Sequence, residues 1–361
     1  MRALVVGAAG VVGRASAHTL VARGRFDEVV LADKRVDAIP DIAERVALDV
    51  TDADSLTHAL DGMEVVLNCT TYHFGVEMLA AAIASGVGYV DLGGLHNTPR
   101  QLRLHDAARE AGITAVIGCG ATPGISNVLA RGAAEVLDDI REVDIAFVSY
   151  RDLAPSPGLL NTVLDEFRPD VDRYYWSDGS LVKVEPFSGE TVVRFPAPVD
   201  DATVFYVPHS ENHTLPRSLA GVRKVSVRGT WRPRDMALLR ALAGSGMTSS
   251  APLQVDGIRV KPLDVLRAVL IKEHQRSDEP CCFYVNVTAR AAGGERWART
   301  AFHPLDWGPA ATGMMTGIPA AIGAELVARG ETPRGVAAPD VAFPAPAFLD
   351  EITTEGIALA A

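Results

Sequence analysis

The chain has 361 residues, enough for two domains, and with 48% hydrophobic and 22% charged residues it can bury a sizeable core. Its formal net charge of −11 disfavours a nucleic-acid partner, because an acidic surface repels phosphodiesters. The four cysteines show no CxxC spacing, the first apolar run is too short for a signal peptide, and we see no stretch with the roughly 20 apolar residues of a membrane span. We therefore expect a cytoplasmic chain without a structural metal or a membrane partner.

Short apolar runs alternate with amphipathic segments over the first third of the chain. Runs without polar residues are typical of parallel strands covered on both faces, and regular strand–helix alternation indicates βαβ units. The predicted strands are Ala3–Val6, Val29–Ala32, Val65–Asn68, Tyr89–Leu92 and Thr114–Ile117, and the predicted helical segments are His18–Arg23, Ser55–Leu60, Val76–Ser85 and Thr98–Ala111. We therefore expect an α/β fold that begins with a doubly wound parallel sheet of the Rossmann type.

The pattern changes after Leu137, where apolar and polar residues alternate along the strands. Asp178-Gly179 and Gly293-Gly294 each separate two such strands and predict β-hairpins. The predicted strands are Glu142–Tyr150, Tyr174–Trp176, Leu181–Val184, Thr191–Phe195, Ala202–Val207, Val222–Thr230, Phe283–Ala291 and Arg296–Phe302, with helices at Pro233–Ala243, Leu263–Lys272 and Ala311–Arg329. We expect a second, α+β domain with an antiparallel or mixed sheet, and a last helix that is capped by Gly330.

The strongest functional motif is Gly-Ala-Ala-Gly-Val-Val-Gly, which starts at Gly7, follows an apolar strand and opens a helix. Its three glycines permit a tight turn, close approach of a pyrophosphate and close packing of the helix on the strand. The helix N-terminus presents free amides and a partial positive charge to the phosphates. The predicted cofactor-binding residues of this motif are Gly7, Ala9, Gly10, Val11, Val12 and Gly13. The alternative is a glycine-rich turn in an ordinary βα unit.

Asp33 ends the next apolar strand, about 20 residues beyond the last glycine, where a dinucleotide-binding fingerprint has an acidic residue. A carboxylate there accepts hydrogen bonds from the ribose hydroxyls and repels a 2′-phosphate, which favours NAD. Lys34 and Arg35 follow directly and are able to neutralise that phosphate, so NADP stays open. Asp49 closes the third apolar segment, where it either accepts from the adenine amino group or serves as a cap or turn residue.

Small residues follow the later strands of the predicted sheet. Cys69 and Thr70 come after the strand that ends at Asn68, and Cys119 comes after the strand that ends at Ile117. Ligands of open α/β sheets lie beyond the carboxyl ends of the strands, so these three residues are expected to line the cofactor crevice near the nicotinamide. Tight turn chemistry alone is the alternative.

The segment His209–Leu219 is the second candidate site. It contains Glu211, His213, Thr214 and Arg217, and an arginine can hold a substrate carboxylate through two hydrogen bonds. A solvated surface arginine is the alternative. The two histidines lack the HExxH order of a zinc site, and Pro208 and Pro216 argue against a helix there. No tyrosine is followed four residues later by lysine, which argues against short-chain dehydrogenase chemistry.

At these residues the chain resembles the saccharopine dehydrogenase-like family, which includes lysine 6-dehydrogenases. The resemblance covers nearly the whole chain and rests on the glycine-rich turn and on four segments, Tyr89–Gly93, Gly120–Asn127, Glu211–Arg217 and Thr316–Ala321. It implies a Rossmann domain, an inserted domain that binds substrate and dimerises, and C-terminal helices that return to the Rossmann domain. The expected parts are residues 1–124, 125–306 and 307–361.

The resemblance also implies oxidation of a carbon–nitrogen bond in an amino acid or amine, or the reverse reduction of an imine. We expect lysine 6-dehydrogenase-like oxidative deamination with NAD, or with NADP. The amine must lose a proton before hydride leaves, so a base is needed, and the candidates are His213 first and Asp91 second. Arg217 would hold the substrate carboxylate, and Thr214 would hydrogen-bond to the substrate. However, lysine 6-dehydrogenases have GxGxxG, whereas this chain has the longer GxxGxxG spacing of saccharopine reductase-like members.

Two alternatives stay open at this point. The first is reductive condensation of an amine with an oxo compound, as in saccharopine or carboxynorspermidine formation. The second is a non-catalytic redox sensor that binds NAD(P), against which the large second domain argues. We also expect a homodimer, because Val222–Thr230 and Phe283–Ala291 each carry an apolar face that something must cover.

Overall fold

The fold is that of a computed structural model, which describes residues 1–94, 97–273 and 278–361. The strands are β1 (Arg2–Val6), β2 (Glu28–Asp33), β3 (Glu44–Ala47), β4 (Val65–Asn68), β5 (Gly88–Asp91), β6 (Thr114–Val116), β7 (Ile140–Tyr150), β8 (Tyr174–Ser177), β9 (Ser180–Lys183), β10 (Thr191–Arg194), β11 (Asp201–Tyr206), β12 (Lys224–Thr230), β13 (Leu253–Val255), β14 (Ile258–Val260), β15 (Cys282–Ala291), β16 (Arg296–Phe302), β17 (Gly335–Ala337) and β18 (Ala358–Ala360). The helices are α1 (Val11–Arg23), α2 (Ala53–Leu60), α3 (Gly75–Ser85), α4 (Thr98–Leu102), α5 (His105–Glu110), α6 (Ile125–Ala134), α7 (Pro157–Phe167), α8 (Glu211–Ser218), α9 (Pro233–Gly244), α10 (Pro262–Lys272), α11 (Ala311–Ala328), α12 (Pro339–Ala342) and α13 (Ala345–Thr354).

The first sheet is the predicted Rossmann sheet. Within the described residues it has seven strands in the order β17-β6-β5-β4-β1-β2-β3, and the neighbouring strands are parallel. The sequence has an apolar segment before Asp49 but did not predict β3 there, since β3 is an edge strand in which Glu44, Arg45 and Ala47 are exposed. The sequence also did not predict β17, which joins the sheet from near the end of the chain. The doubly wound fold is confirmed.

The second sheet is mixed, as expected. In the described part of the chain its main path is β10-β11-β12-β7-β15-β16-β18, with β8 and β9 attached to β12. β7 and β12 run parallel, while β15 and β16 follow in antiparallel order. Both predicted hairpins are confirmed: β8 and β9 meet at Asp178 and Gly179, with φ of 44° and 90°, and β15 and β16 meet near Gly294, with φ of 95°. Positive φ at such turn positions matches the right-handed twist of the strands.

The argument that led from β12 and β15 to a homodimer is wrong. Both strands lie inside the sheet, and their apolar residues, among them Val227 and Val287, are fully buried within the chain. α6 packs against β15 and α8 packs against β12, so helices of the same chain cover this face.

The expectation that no helix forms between residues 208 and 216 is also wrong. α8 spans Glu211–Ser218 and contains Pro216. Its first turn is closed by the amides of His213 and Thr214, which donate to the Ser210 carbonyl at 2.8 and 3.1 Å. Proline removes one backbone hydrogen bond from a helix. In this short helix the burial of Glu211, Thr214 and Leu215 outweighs that loss.

The last part of the chain ties the two sheets together. β17 pairs with β6 in the first sheet, while β18 pairs with β16 in the second. The segment Leu305–Ala328, which contains α11, is long and apolar enough for a membrane span by length and composition alone, but 78% of its apolar 18-residue window is buried inside the protein. It is therefore a core helix, and Gly330 follows it with φ of 69°, as predicted for a cap.

A buried ion cluster fastens α11 and α13 to the Rossmann domain. Arg23, at the end of α1, contacts Glu325 with Nε···Oε1 of 2.8 Å, Glu351 at 2.6 Å and Glu355 at 2.5 Å. The Arg23 side chain is 8% exposed and that of Glu325 is 1% exposed. Burial acts against the charge of Arg23, but the hydrogen bonds that its guanidinium donates to three carboxylates outweigh it and raise the pKa of the guanidinium.

Replacing Arg23 with alanine is expected to destabilise the protein strongly, because Glu325 would remain buried without its partner. Loss of one member of a buried pair costs about 3–5 kcal/mol. Urea unfolding followed by tryptophan fluorescence measures the change. Arg194→Ala is the control: this arginine pairs with Asp200 and Asp201 but is 74% exposed, so its loss should cost at most about 1 kcal/mol. Equal effects of the two substitutions would contradict the role of the cluster.

Candidate active site

A cavity of about 640 Å³ lies between the Rossmann domain and the second sheet. On the Rossmann side its lining includes Gly7, Gly10, Val11, Val12, Asp33, Lys34, Arg35, Asp49, Cys69 and Thr70. On the other side its lining includes Phe147, Ser149, Arg151, Glu166, His209, Ser210, Trp231 and Phe283. One cavity thus joins the predicted dinucleotide site to a pocket in the second domain.

The glycine-rich turn fits a dinucleotide phosphate. Gly7 has φ of 85°, and a Cβ there would lie 2.7 Å from the backbone of Cys69. A Cβ on Gly13 would lie 2.1 Å from the Gly7 carbonyl oxygen, so side chains are excluded at both positions. The amide of Arg14 donates to the Gly10 carbonyl, and the amides of residues 11–13 precede this first helical bond. Such amides have no acceptor within the helix and are available to phosphate oxygens.

Asp33 is the last residue of β2 and lines the Rossmann side of the cavity. The Ala9 amide donates to its Oδ2 at 3.1 Å, and the Arg35 amide donates to its Oδ1 at 2.9 Å. The Arg35 guanidinium lies 3.8 Å from the same Oδ1. The glycine-rich turn thus orients the Asp33 carboxylate through the Ala9 amide, and the Arg35 guanidinium lies beside it. Ala9 contributes through its backbone rather than by lining the cavity.

Asp49, Cys69 and Thr70 also reach the cavity, whereas Cys119 does not line it. Thr51 donates to Asp49 Oδ1 from its amide at 3.0 Å and from its hydroxyl at 2.7 Å, and these bonds lower the pKa of Asp49. The Thr70 hydroxyl donates to Asn68 Oδ1 at 2.6 Å. Cys119 is fully buried, and its thiol faces the Pro319 carbonyl in α11 at 3.2 Å. The structure therefore does not bring Cys119 to the crevice.

The residues predicted from α8 lie away from the main cavity. Arg217 is exposed and is not part of the cavity lining, so the structure does not place it as a carboxylate anchor. Thr214 is buried and accepts a hydrogen bond from Asn127 at 3.1 Å. His213 borders a separate, smaller cavity of about 210 Å³. The reason is the helix itself, since α8 directs its N-terminal end at the main cavity and carries its later residues away.

Asp91 holds two loops in place. Its Oδ1 accepts from the amides of Gly93 and Gly118, both at 2.8 Å, and its Oδ2 accepts from Tyr89 at 2.9 Å and Gln101 at 2.6 Å. It is buried and does not line the main cavity, and this burial raises its pKa. The geometry gives Asp91 a positioning role for the strand-end loops.

A row of three buried ionisable residues adjoins the cavity on the second-domain side: Glu166 and His209 line the cavity, whereas Glu211 lies outside its lining. His209 lies between two carboxylates, with Nδ1 at 3.3 Å from Glu211 Oε2 and Nε2 at 3.9 Å from Glu166 Oε1. Ser126 and Thr122 donate to Glu211 Oε1 at 2.6 and 2.7 Å. These five residues come from three separate stretches of the chain, 122–126, 166 and 209–211, so this arrangement exists only in the folded chain.

The charges of His209, Glu211 and Glu166 shift one another's pKa values. Burial would lower the pKa of His209, but Glu211 and Glu166 outweigh it and raise that pKa to about 9. Burial would raise the pKa of Glu211, but the charge of His209 and the two hydroxyl donors lower it overall. For Glu166 burial prevails and raises its pKa. At neutral pH the row therefore holds a protonated imidazole against an ionised Glu211.

Arg151 supplies a positive charge to the same wall. It follows β7, is 5% exposed and lines the cavity. Its guanidinium donates to the carbonyls of Asp152, Leu153 and Leu159 at 2.7, 3.2 and 3.0 Å, which fixes the loop leading into α7. Burial lowers its pKa to about 10, against the opposite effect of Glu166.

The sequence reasoning passed over three of these residues. Arg151 stands directly after a strand, as Cys69 does, and the rule that ligands lie beyond strand ends would have marked it. Glu166 is an acidic residue on the apolar face of a helix, between Leu164 and Phe167. His209 was seen only as one of two histidines in a weak zinc pattern. In the part of the chain that the structure describes, no three potential ligands cluster as a metal site.

Two family models match successive parts of the chain. Residues 3–116 match the family model described as "Saccharopine dehydrogenase NADP binding domain". Residues 120–357 match the model described as "Saccharopine dehydrogenase C-terminal domain". Together the two matches cover almost the whole chain.

Two relatives and one solved structure are similar to this chain over most of its length. The chain is 24% identical to carboxyaminopropylagmatine dehydrogenase of Synechocystis sp., over 91% of this chain and 89% of the relative. It is 24% identical to carboxynorspermidine synthase of Vibrio alginolyticus, over 68% of this chain and 64% of the relative. The solved structure of apo saccharopine dehydrogenase (L-Glu forming) from Saccharomyces cerevisiae superposes with a TM-score of 0.73 at 17% identity, covering 99% of both chains.

Two functions are predicted for the Asp33 carboxylate: it accepts hydrogen bonds from the ribose hydroxyls, and it repels a 2′-phosphate. Substitutions of Asp33 separate these two functions. Asp33→Ala should weaken NAD binding by about 1.5–3 kcal/mol, the contribution of a hydrogen bond to a charged group, and should relax discrimination against NADP. Asp33→Asn retains an acceptor for the Ala9 amide but removes the charge, so it should relax discrimination with a smaller loss of NAD affinity. Fluorescence titrations with NADH and NADPH measure both effects. The control is Asp41→Ala, since Asp41 is 86% exposed. Unchanged affinities for both cofactors in Asp33→Ala would contradict the assignment.

Proposed function

We propose that this chain, which belongs to the saccharopine dehydrogenase family, transfers hydride between NAD(P) and a carbon that bears nitrogen, and so makes or breaks the bond between an amino-acid skeleton and an amine. That it is an NAD(P)-dependent dehydrogenase follows from its family and relatives. The observation that carries the finer proposal is the row Glu166–His209–Glu211 at the cavity wall. It provides a proton donor and acceptor in the pocket that adjoins the cofactor site.

We favour reductive coupling of an amine with a carbonyl compound over oxidative deamination of lysine. The names of two relatives, carboxyaminopropylagmatine dehydrogenase and carboxynorspermidine synthase, both denote secondary amines that carry a carboxylated chain. The long GxxGxxG spacing at Gly7, Gly10 and Gly13 supports the same preference. The substrates we propose are therefore a linear amine and a short oxo compound with a carboxylate.

The chemistry requires proton transfer at the nitrogen. An amine adds to a carbonyl carbon, and loss of water from the adduct needs an acid that protonates the departing hydroxyl. Protonated His209, held by Glu211, is the acid in this proposal. The nicotinamide cofactor supplies the hydride that reduces the resulting carbon–nitrogen double bond. In the oxidative direction neutral His209 accepts the proton of the ammonium group, because an ammonium has no lone pair to expel hydride.

Two further residues of the wall have proposed roles. Glu166 lies on the other side of His209 and lines the cavity, so it is suited to attract the cationic amine. Arg151 takes the role of carboxylate anchor that the sequence reasoning assigned to Arg217. Ser156, at the N-terminus of α7, also lines the cavity, and the partial positive charge of a helix N-terminus adds to that of Arg151.

Two further proposals concern a sensor function and the oligomeric state. A non-catalytic sensor needs no acid–base row inside a cavity that continues from the cofactor site, which is why we do not favour it. A homodimer stays a prediction, now supported by another surface. Leu253, Val255 and Ile258 of the β13–β14 hairpin are 56%, 53% and 67% exposed, although they are apolar.

A substrate panel tests the reaction. NADPH or NADH oxidation is measured with pairs of a linear diamine or agmatine and a carboxylated aldehyde or oxo acid, and NAD(P) reduction is measured with lysine and other amino acids. We expect the highest kcat/KM for one of the amine–carbonyl pairs, with a secondary amine as the product by mass spectrometry. Faster turnover of lysine would reverse our preference, and no turnover in either direction would refute the proposed chemistry.

The pH dependence tests His209. Because its pKa is raised to about 9, its acid form is present below that pH and is lost above it. The coupling rate should therefore fall above about pH 9, while the oxidative rate should rise up to about pH 9. His209→Gln should lower kcat by about 10²–10⁴ and remove this limb of the profile.

His213→Gln is the matched comparison. It removes a histidine of the same helical region that does not line the main cavity, and it should retain the limb near pH 9. The reverse result, with the limb lost in His213→Gln and retained in His209→Gln, would restore His213 as the base. NADPH binding and circular dichroism establish that both variants are folded.

A further inference from the structure

A hydrogen bond joins the two domains across the cavity. The Tyr72 hydroxyl, in the loop that follows β4, donates to Asp165 Oδ2 on α7. Beside it, a Cβ on Gly158 would lie 4.0 Å from Thr71 Cγ2, so the loop rests on the first turn of the same helix. Thr71, Tyr72 and Gly158 all line the cavity. We call the Tyr72–Asp165 contact the clasp.

The second-domain half of the clasp is firmly held. The Asp165 side chain is 3% exposed, accepts from Arg168 at 2.7 Å and lies 4.0 Å from Arg267. Arg168 in turn pairs with Asp170 at 2.8 Å. The charge of Asp165 is thus compensated without Tyr72, so opening the clasp does not leave a buried carboxylate unpaired.

The Rossmann half of the clasp is the more exposed half, and Asn97 donates to the backbone carbonyl of Tyr72. Tyr72 is half-buried and stacks on exposed His73, with ring centroids 4.2 Å apart. Burial and the adjoining Asp165 raise the pKa of Tyr72, so its hydroxyl stays protonated and remains a donor. Because Asp165 is held by other residues and Tyr72 lies near the surface, Tyr72 can move away while Asp165 stays in place.

We propose that the clasp is the gate of the cavity, which opens to admit and release cofactor and substrate and closes over them during reaction. Tyr72 is a positioning residue in this scheme, because its hydroxyl bonds to Asp165 rather than to the acid–base groups of the cavity. Gating of the cavity does not rest on the proposed function. Closure of this kind excludes water and completes an active site.

The kinetics of cofactor binding test the gate. Tyr72→Phe keeps the ring and removes the hydroxyl donor. Because the substitution removes one hydrogen bond to a charged group, the fraction of protein molecules with an open clasp should increase roughly tenfold. Since only the open state exchanges ligand, both the association and the dissociation rates of NADPH should rise by the same factor. The equilibrium Kd of NADPH should stay within twofold of its original value. Stopped-flow fluorescence measures both rates without any turnover, so failure of the proposed chemistry would not affect the result.

Tyr174→Phe is the matched control, because the Tyr174 hydroxyl donates to the exposed Asp172 and lies outside the main cavity. It should leave both rates unchanged. Faster dissociation alone in Tyr72→Phe, with a weaker Kd, would show that Tyr72 is a cofactor contact and would overturn the gate. Unchanged rates would overturn it as well. Thermal unfolding of Tyr72→Phe close to that of the original protein excludes misfolding as the cause.

Discussion

Burial of charge between the domains is the constraint on which the active site depends. His209 is enclosed by protein, and an isolated charged imidazole would be unstable there; Glu211 and Glu166 stabilise it instead. This pairing joins α8, which carries Glu211, to α7, which carries Glu166. The same electrostatics that hold the two helices together therefore create an acid at the cavity wall. The contacts of His209 with Glu211 and Glu166 therefore contribute both to the stability of the fold and to the proposed acid chemistry.

The cavity also depends on the path of the chain. β17 completes one edge of the Rossmann sheet, β18 extends the second sheet, and α11 packs along α1 between them. The Arg23 cluster secures this return. The two walls of the cavity are thus positioned by residues more than 300 positions apart in sequence, as Arg23 and Glu325 are. A loosely connected second domain would not keep Arg151 and the glycine-rich turn at one cavity.

Local rules predicted some features and failed for others. The glycine-rich turn, Asp33 and both hairpins were predictable, because each is decided by backbone sterics and the order of neighbouring residues. α8 was not, because burial of Leu215 and its neighbours outweighed the effect of Pro216. Arg217 was assigned to the substrate from its residue type and loop, while its direction depends on the register of that unpredicted helix. The position of Cys119 was missed for a related reason: its thiol faces α11, which arrives from much later in the chain.

The amino-acid sequence by itself determined the doubly wound domain, the phosphate-binding turn and an acidic residue for the ribose, since these follow from contacts within one βαβ unit. It also carried the resemblance that led to carbon–nitrogen oxidoreduction. Only the tertiary structure decided which histidine and which arginine line the cavity. The physical reason is that the pKa of His209 and the direction of Arg151 are set by partners such as Glu166, which no spacing along the chain connects to them. Those groups become neighbours only when the second sheet and its helices have closed over the first domain.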